Sequence, residues 1–532
     1  MCDRNRFVRR RRGGPPELRG GAAWGMVRVR VKPILFALLL VGGVLLGVYA
    51  LKGRAAPTPS QSDRATGGLT RMDAAGPGAQ KAKPGAQAQG AEPRYIVVGG
   101  GATPEYTEVS LEQDTQLAMR VLPGPGLTLF AGGQGSTSVR LLGPEAHEQS
   151  LLSQLGAIFD PRSARDSRYR VTELNAQPAT LSNFETSLAL ASASSSQPLL
   201  VYIATHGLQG NEPRDNFVEL WSGESLSVAQ LDELSGSAKR PVRFVIASCY
   251  SGGFAELAFA HADAQRGPST LSRCGLFAGT WDRQTSGCDP NPDRRAQEGY
   301  SLHLLHALRG EDRAGKALPR AQLDLDGDGK IGLLEAHTRA RIASHSIDVP
   351  TTTSERYLRE VVKVAEAPDW KLLPEEAAVV KQLGAKLGLA HAAAVEARYR
   401  ELSTKLDALQ PELDAADEQL DRARSQLGAE LLSRWPVLSD PYHEQFAGTL
   451  KREAAAIGGV LRSSRHAQRY NEARAEADAI SGRANALDAQ EAVLLRLVRA
   501  YETAGLAAAL AARGGDQYAR YQALLACERG AP

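Results

Sequence analysis

Two runs decide the fold: "LLVYIATHG" at 199–207 and, further along, "VRFVIASCYSGG" at 242–253. Each is a string of apolar, β-favouring residues closed by a side chain that can do chemistry. The first ends at His206-Gly207 and the second at Cys249. A run with no polar alternation fits a strand covered on both faces. Similar runs stand on either side: "YIVV" (95–98), "LTLF" (127–130), "YRVTEL" (169–174) and "GLFAGT" (275–280). Segments of helical periodicity separate most of them. One opens with the capping-box pattern of Ser182 and Glu185. Buried strands alternating with helices predict an α/β fold, with a mainly parallel six-stranded sheet between helices. In such sheets chemistry gathers at the carboxyl ends of the strands.

Two of those ends carry a thiol and an imidazole, which together make a nucleophile and a base. Gly207 lets the backbone approach a substrate closely, and its N–H is a donor for an oxyanion. Gly252 and Gly253 permit a tight turn into "FAELAFAHA", read here as a helix whose positive end favours a Cys249 thiolate. A lone Cys or His in an apolar strand is ordinarily packing; the pair at two strand ends is what points to chemistry. The cluster Gly99-Gly100-Gly101 does not fit the spacing of a dinucleotide loop and reads as a strand-end turn.

"YIATHG" followed by "IASCYSGG" resembles the His-Gly and Cys motifs of the caspase–legumain class of cysteine peptidases, closest to its bacterial legumain-like members. The order, the spacing and the apolar strand before each motif agree over roughly 94–350. "QACRG" of animal caspases is absent. The resemblance implies a His206–Cys249 dyad, with the backbone N–H groups of Gly207 and Cys249 as oxyanion hole. It also implies substrate contacts after the sixth run, at Thr280, Trp281 and Asp282. Asp282 would then favour a substrate Arg or Lys, although Ala247 stands where acidic-pocket relatives carry Asp. A transpeptidase on the same dyad, or a catalytically inactive binding scaffold, are the alternatives.

"DLDGDGKIGLLE" (324–335) has the spacing of a twelve-residue calcium loop. Asp324, Asp326 and Asp328 fill positions one, three and five, Lys330 supplies a carbonyl at seven, and Glu335 is the twelfth ligand. Gly329 permits the sharp turn. The expected cofactor is a structural Ca2+, with no organic cofactor.

The ends of the chain differ in texture. Residues 1–32 hold ten Lys or Arg. Residues 33–51, "PILFALLLVGGVLLGVYAL", are uncharged and long enough for a transmembrane anchor, or a signal sequence. Positive charge before them predicts a cytoplasmic tail and an extracytoplasmic, if bacterial periplasmic, catalytic domain; signal cleavage would make it secreted. Residues 52–93 lack core-forming side chains and read as a disordered linker. The peptidase-like domain then spans 94–367. Residues 368–532 are rich in Ala, Leu, Glu and Arg. Leu402, Leu406, Leu409, Leu413, Ala416, Leu420, Ala423 and Leu427 recur as a heptad seam, with Pro411 expected to kink or split it. That coiled-coil-like domain suits a protein partner or self-association.

Composition narrows the classes. The 532 residues carry a net charge of +3 and 6% aromatics, which argues against a basic or aromatic-lined nucleic-acid binder. Five cysteines without a CxxC pair make neither a disulfide scaffold nor a structural zinc site. Cys274 and Cys288 flank the sixth run and are disulfide candidates, while Cys2 and Cys527 read as tail residues. The expected partner is a peptide or protein substrate.

Overall fold

A computed structural model describes residues 92–142, 150–159, 167–193 and 197–532. The chain runs through β1 (Tyr95–Gly100), α1 (Val109–Val121), β2 (Gly126–Phe130), β3 (Thr137–Leu142), α2 (Leu151–Phe159), β4 (Ser167–Val171), α3 (Leu181–Ser192) and β5 (Leu199–Thr205). A small antiparallel sheet follows, made of β6 (Gly207–Leu208), β7 (Phe217–Glu219) and β8 (Ser225–Ser227). Then come α4 (Val228–Gly236), β9 (Val242–Ile246), β10 (Arg273–Phe277), α5 (Tyr300–Leu308), α6 (Leu333–Ala343), β11 (Thr351–Thr352) and α7 (Thr353–Val361). The last third is helical: α8 (Pro374–Leu387), α9 (Ala392–Arg434), α10 (Phe446–Arg452), α11 (Ala454–Ser463), α12 (Arg465–Arg513) and α13 (Gly515–Arg529).

The central sheet has six strands in the order β11-β10-β9-β5-β1-β2. Its five longer strands are parallel, and β11 closes one edge antiparallel to β10. The sheet is therefore mixed, and its sixth strand is not the expected one. Residues 167–171 pair with β3 in a separate two-stranded sheet. None of these five residues is buried, and Tyr169 and Val171 are exposed, as does not suit a doubly covered strand.

The absence of polar alternation in β1 and β5 has a direct cause. Val97, Leu200 and Tyr202 pack with α1, α5, α6, α7 and α13 on one face. Ile96, Val98, Val201 and Ile203 pack with α3, α4 and residues 254–257 on the other. Truncating fully buried Ile203 to Ala would cost about 2–5 kcal/mol. The α3 cap lies earlier than the sequence suggests: the Thr180 side chain, not Ser182, accepts the Asn183 N–H.

Helices α9 and α12 pack antiparallel. Leu427 meets the start of α12 near Ala467, Ala416 meets Ala477 and Ile480, and Leu402 meets Leu494 and Leu497. Leu402, Leu409, Ala416 and Ala423 form the buried stripe, one residue in seven. Pro411 neither splits nor ends α9, which is continuous from Ala392 to Arg434. Buried Leu409 and Ala416 clamp the helix on either side of it.

Cys274 bonds to Cys527, not to Cys288. The tail assignment of Cys527 is thereby corrected. Helix α13 buries Tyr521, Leu524 and Leu525 in the same core as the sheet. The single-pass membrane topology expected from the sequence is corrected as well. Among the described residues no helix is long and apolar enough to cross a membrane. Residues 33–51 lie outside the described ones, as do the basic tail and most of the linker.

Candidate active site

Strands β5 and β9 are parallel, with Ile203 opposite Ile246. His206 and Cys249 each follow their register partner by three residues, so both leave the sheet at its carboxyl-terminal end. The backbones touch there: a Cβ added to Gly207 would lie 2.1 Å from the Cys249 carbonyl oxygen. Gly252 is equally enclosed, with a Cβ only 2.6 Å from the Gly279 carbonyl oxygen beyond β10.

The turn after β1 supplies the partners of His206. Its Nε2 lies 2.9 Å from the Tyr106 carbonyl and 3.0 Å from a Glu108 carboxylate oxygen. Arg140 bonds the other Glu108 oxygen at 2.8 Å. Burial pulls the imidazole pKa down, but the Glu108 charge and hydrogen bond outweigh it, and the net shift is upward. Glu108 moves the opposite way: burial raises its pKa, and the His206 and Arg140 charges bring it below the ordinary value. Nδ1 faces the Cys288 sulfur at 3.6 Å.

Cys249 is buried, and no hydrogen bond joins it to His206 among the described residues. Its sulfur accepts the Thr285 N–H at 3.3 Å and sits 3.6 Å from the Thr285 carbonyl. Burial raises the thiol pKa, only partly opposed by the Thr285 hydrogen bonds. The thiolate-favouring helix start expected after Cys249 is not formed. Tyr250 takes a left-handed conformation (φ 59°), and residues 251–258 make a 3-10 helix.

The segment between β10 and α5 covers the sulfur. A cavity of about 10 Å³, room for one water, is lined by Cys249 together with Thr285, Ser286, Gly287 and Cys288. The cover is tied down along its length. Ser286 N–H donates to Asp348 at 2.6 Å, Ser110 donates to the Gly287 carbonyl at 2.6 Å, and Arg283 bonds Asp488 and Glu491 of α12 at 2.9 and 3.1 Å. Burial pushes the Asp348 pKa up to about 6 against the opposing Ser286 N–H and Arg496.

Thr280, Trp281 and Asp282 do not line this cavity. Thr280 is buried and donates to Asp282 at 2.7 Å; Trp281 and Asp282 are exposed. Asn216, unmarked by any motif, donates to the carbonyls of Tyr250 and Trp281 and so joins the two segments around Cys249.

Two groups of residues present metal-type donors. Glu108, His206 and Cys288 place ligand atoms within 4.8 Å of one another. The Cys288 sulfur is held in a disulfide, however, and offers no thiolate to an ion. In the acidic loop, Asp324, Asp326 and Asp328 converge within the same distance. One Asp324 oxygen is buried with no hydrogen-bond partner. Glu335 accepts the N–H groups of Leu325 and Asp326 through one oxygen and of Gly332 through the other, closing the loop. Gly329 has φ 82°, as the sharp turn requires. Lys330 N–H bonds Asp328 at 2.7 Å.

No protein-family model matches the chain, and no curated protein matches its sequence.

Proposed function

We propose that this chain is a cysteine endopeptidase in which Cys249 is the nucleophile and His206 the proton carrier. One observation carries the reading: parallel, in-register β5 and β9 bring the two residues to the same end of neighbouring strands, with the imidazole held by Tyr106 and Glu108. The resemblance to the caspase–legumain class supports the same assignment. In the reaction the Cys249 sulfur attacks the peptide carbonyl carbon, and the thiol proton passes to His206. The tetrahedral oxyanion is held by the N–H groups of Gly207 and Cys249. It collapses to a thioester as His206 protonates the leaving amine, and water, deprotonated by His206, hydrolyses the thioester. The 285–288 cover must first move aside, since the cavity admits no side chain.

Cys249→Ala or His206→Ala abolishes cleavage of a peptide library while leaving the circular dichroism spectrum unchanged. Retention of the parent's rate in Cys249→Ala sinks the assignment. The closed cover also favours a second reading, an inert protease-like scaffold. A thiol-reactive active-site probe separates the two: a scaffold leaves Cys249 unlabelled in the native protein.

The 324–335 loop is proposed to hold Ca2+ through Asp324, Asp326, Asp328, the Lys330 carbonyl and Glu335. Its all-oxygen donor set and the unpartnered Asp324 oxygen fit a hard cation. Calcium raises the melting temperature of the parent but not of Asp324→Ala. A parent curve indifferent to calcium and chelator refutes the site.

A further inference from the structure

The small cavity beside Cys249 has a charged wall. Asp114 of α1 lines it together with Thr205, Ala247, Ser248 and Ser301. Asp114 is only 4% exposed, and its carboxylate pairs with Arg294 and accepts a hydrogen bond from Ser301. Arg294 comes from the same β10–α5 segment that covers the sulfur, and Gln297 holds its other terminal nitrogen at 2.7 Å. The cover thus does two things at once: it closes over the nucleophile and brings a guanidinium to a buried carboxylate in the cavity wall.

A buried carboxylate left without its cation is costly, so displacing Arg294 requires a replacement. A substrate Arg or Lys side chain entering as the cover opens supplies one. The exchange swaps one ion pair for another and leaves the buried charge balanced. An acidic or apolar side chain would leave Asp114 unpaired. Ala247 lines the same cavity with a small side chain.

We infer that Asp114 is the specificity-determining residue of this site, selecting Arg or Lys immediately before the cleaved bond, and that Arg294 is its internal stand-in while the cover is closed. This rests on the peptidase reading above. Asp282, the carboxylate that sequence position favours, has no part in it.

The test uses the full chain and three peptidyl acyloxymethyl ketones, with Arg, Asp or Leu next to the warhead. The rate of Cys249 alkylation is read by peptide mass. The arginyl reagent labels at least about tenfold faster than the other two, the scale of a charge-assisted bidentate contact. Asp114→Asn removes that preference, with its folding checked by thermal melting. Arg294→Ala, which needs no change in the cavity wall, speeds the arginyl reagent more than the leucyl one. A preference that survives Asp114→Asn, equal acceleration of all reagents in Arg294→Ala, or an aspartyl or leucyl preference in the parent overturns the inference. Failure of all three reagents to label Cys249 overturns the peptidase reading itself.

Discussion

Glu108 spends one carboxylate oxygen on Arg140 and the other on His206, and so fixes both the position and the charge of the imidazole. Glu108→Gln keeps the shape and removes the charge. The His206 pKa then falls, because burial, which disfavours the cation, loses its main opponent. Imidazole NMR titration of the two proteins measures this, and an unchanged midpoint would falsify the coupling. His206 and Cys249 were legible in the sequence because each interrupts an apolar run at its end. Glu108 and Asp114 were not. Each is a carboxylate near or within a helix of mixed polarity, indistinguishable from a solvated one until the fold turns it inward. Asp282 is the converse: its place in the chain suits a pocket, while its carboxylate accepts a hydrogen bond from Thr280.

Among the elements, α7 and α12 are joined by Glu355 and by the Arg359–Glu502 pair at 2.8 Å. Glu355 bonds Thr351 and pairs with Arg359 and Arg499, while Thr503 donates to it. Burial raises its pKa, but Arg499, Arg359 and Arg341 override this and bring it down to about 2 from 4.5. The folded pKa lies below the unfolded one. The contribution to stability is thus complete above about 4.5 and is lost as pH falls through about 2. Glu355→Gln, which takes the carboxylate from half-buried Arg499 while Arg359 keeps Glu502, costs about 1.5–3 kcal/mol at neutral pH in urea unfolding. It also flattens the acid limb of the stability curve. The longest elements were the most readable, since the heptad stripe of α9 repeats over many turns. The shortest were the least. Two-residue β11 gives no periodic signal, and "YRVTEL" is strand-like in composition without saying which sheet receives it.

At the scale of the molecule, the carboxyl-terminal helices do more than extend from the sheet. Helix α13 fills part of its core, and the Cys274–Cys527 bond ties the last helix to β10 across 253 residues. Composition marks 368–532 as helical but does not say that its end returns to the strand next to the nucleophile's. Contacts between distant parts of a chain leave no local pattern. Cys527→Ser lowers unfolding stability by about 2–5 kcal/mol, read by urea titration without reductant.

That bond also decides what a cut would do. The β10–α5 segment, the calcium-type loop and nearly all of the helical region lie between its two sulfurs. A backbone break anywhere in that span produces two polypeptides that remain one covalent molecule. On a denaturing gel without reductant they migrate as a single species, and only thiol treatment releases them as two fragments.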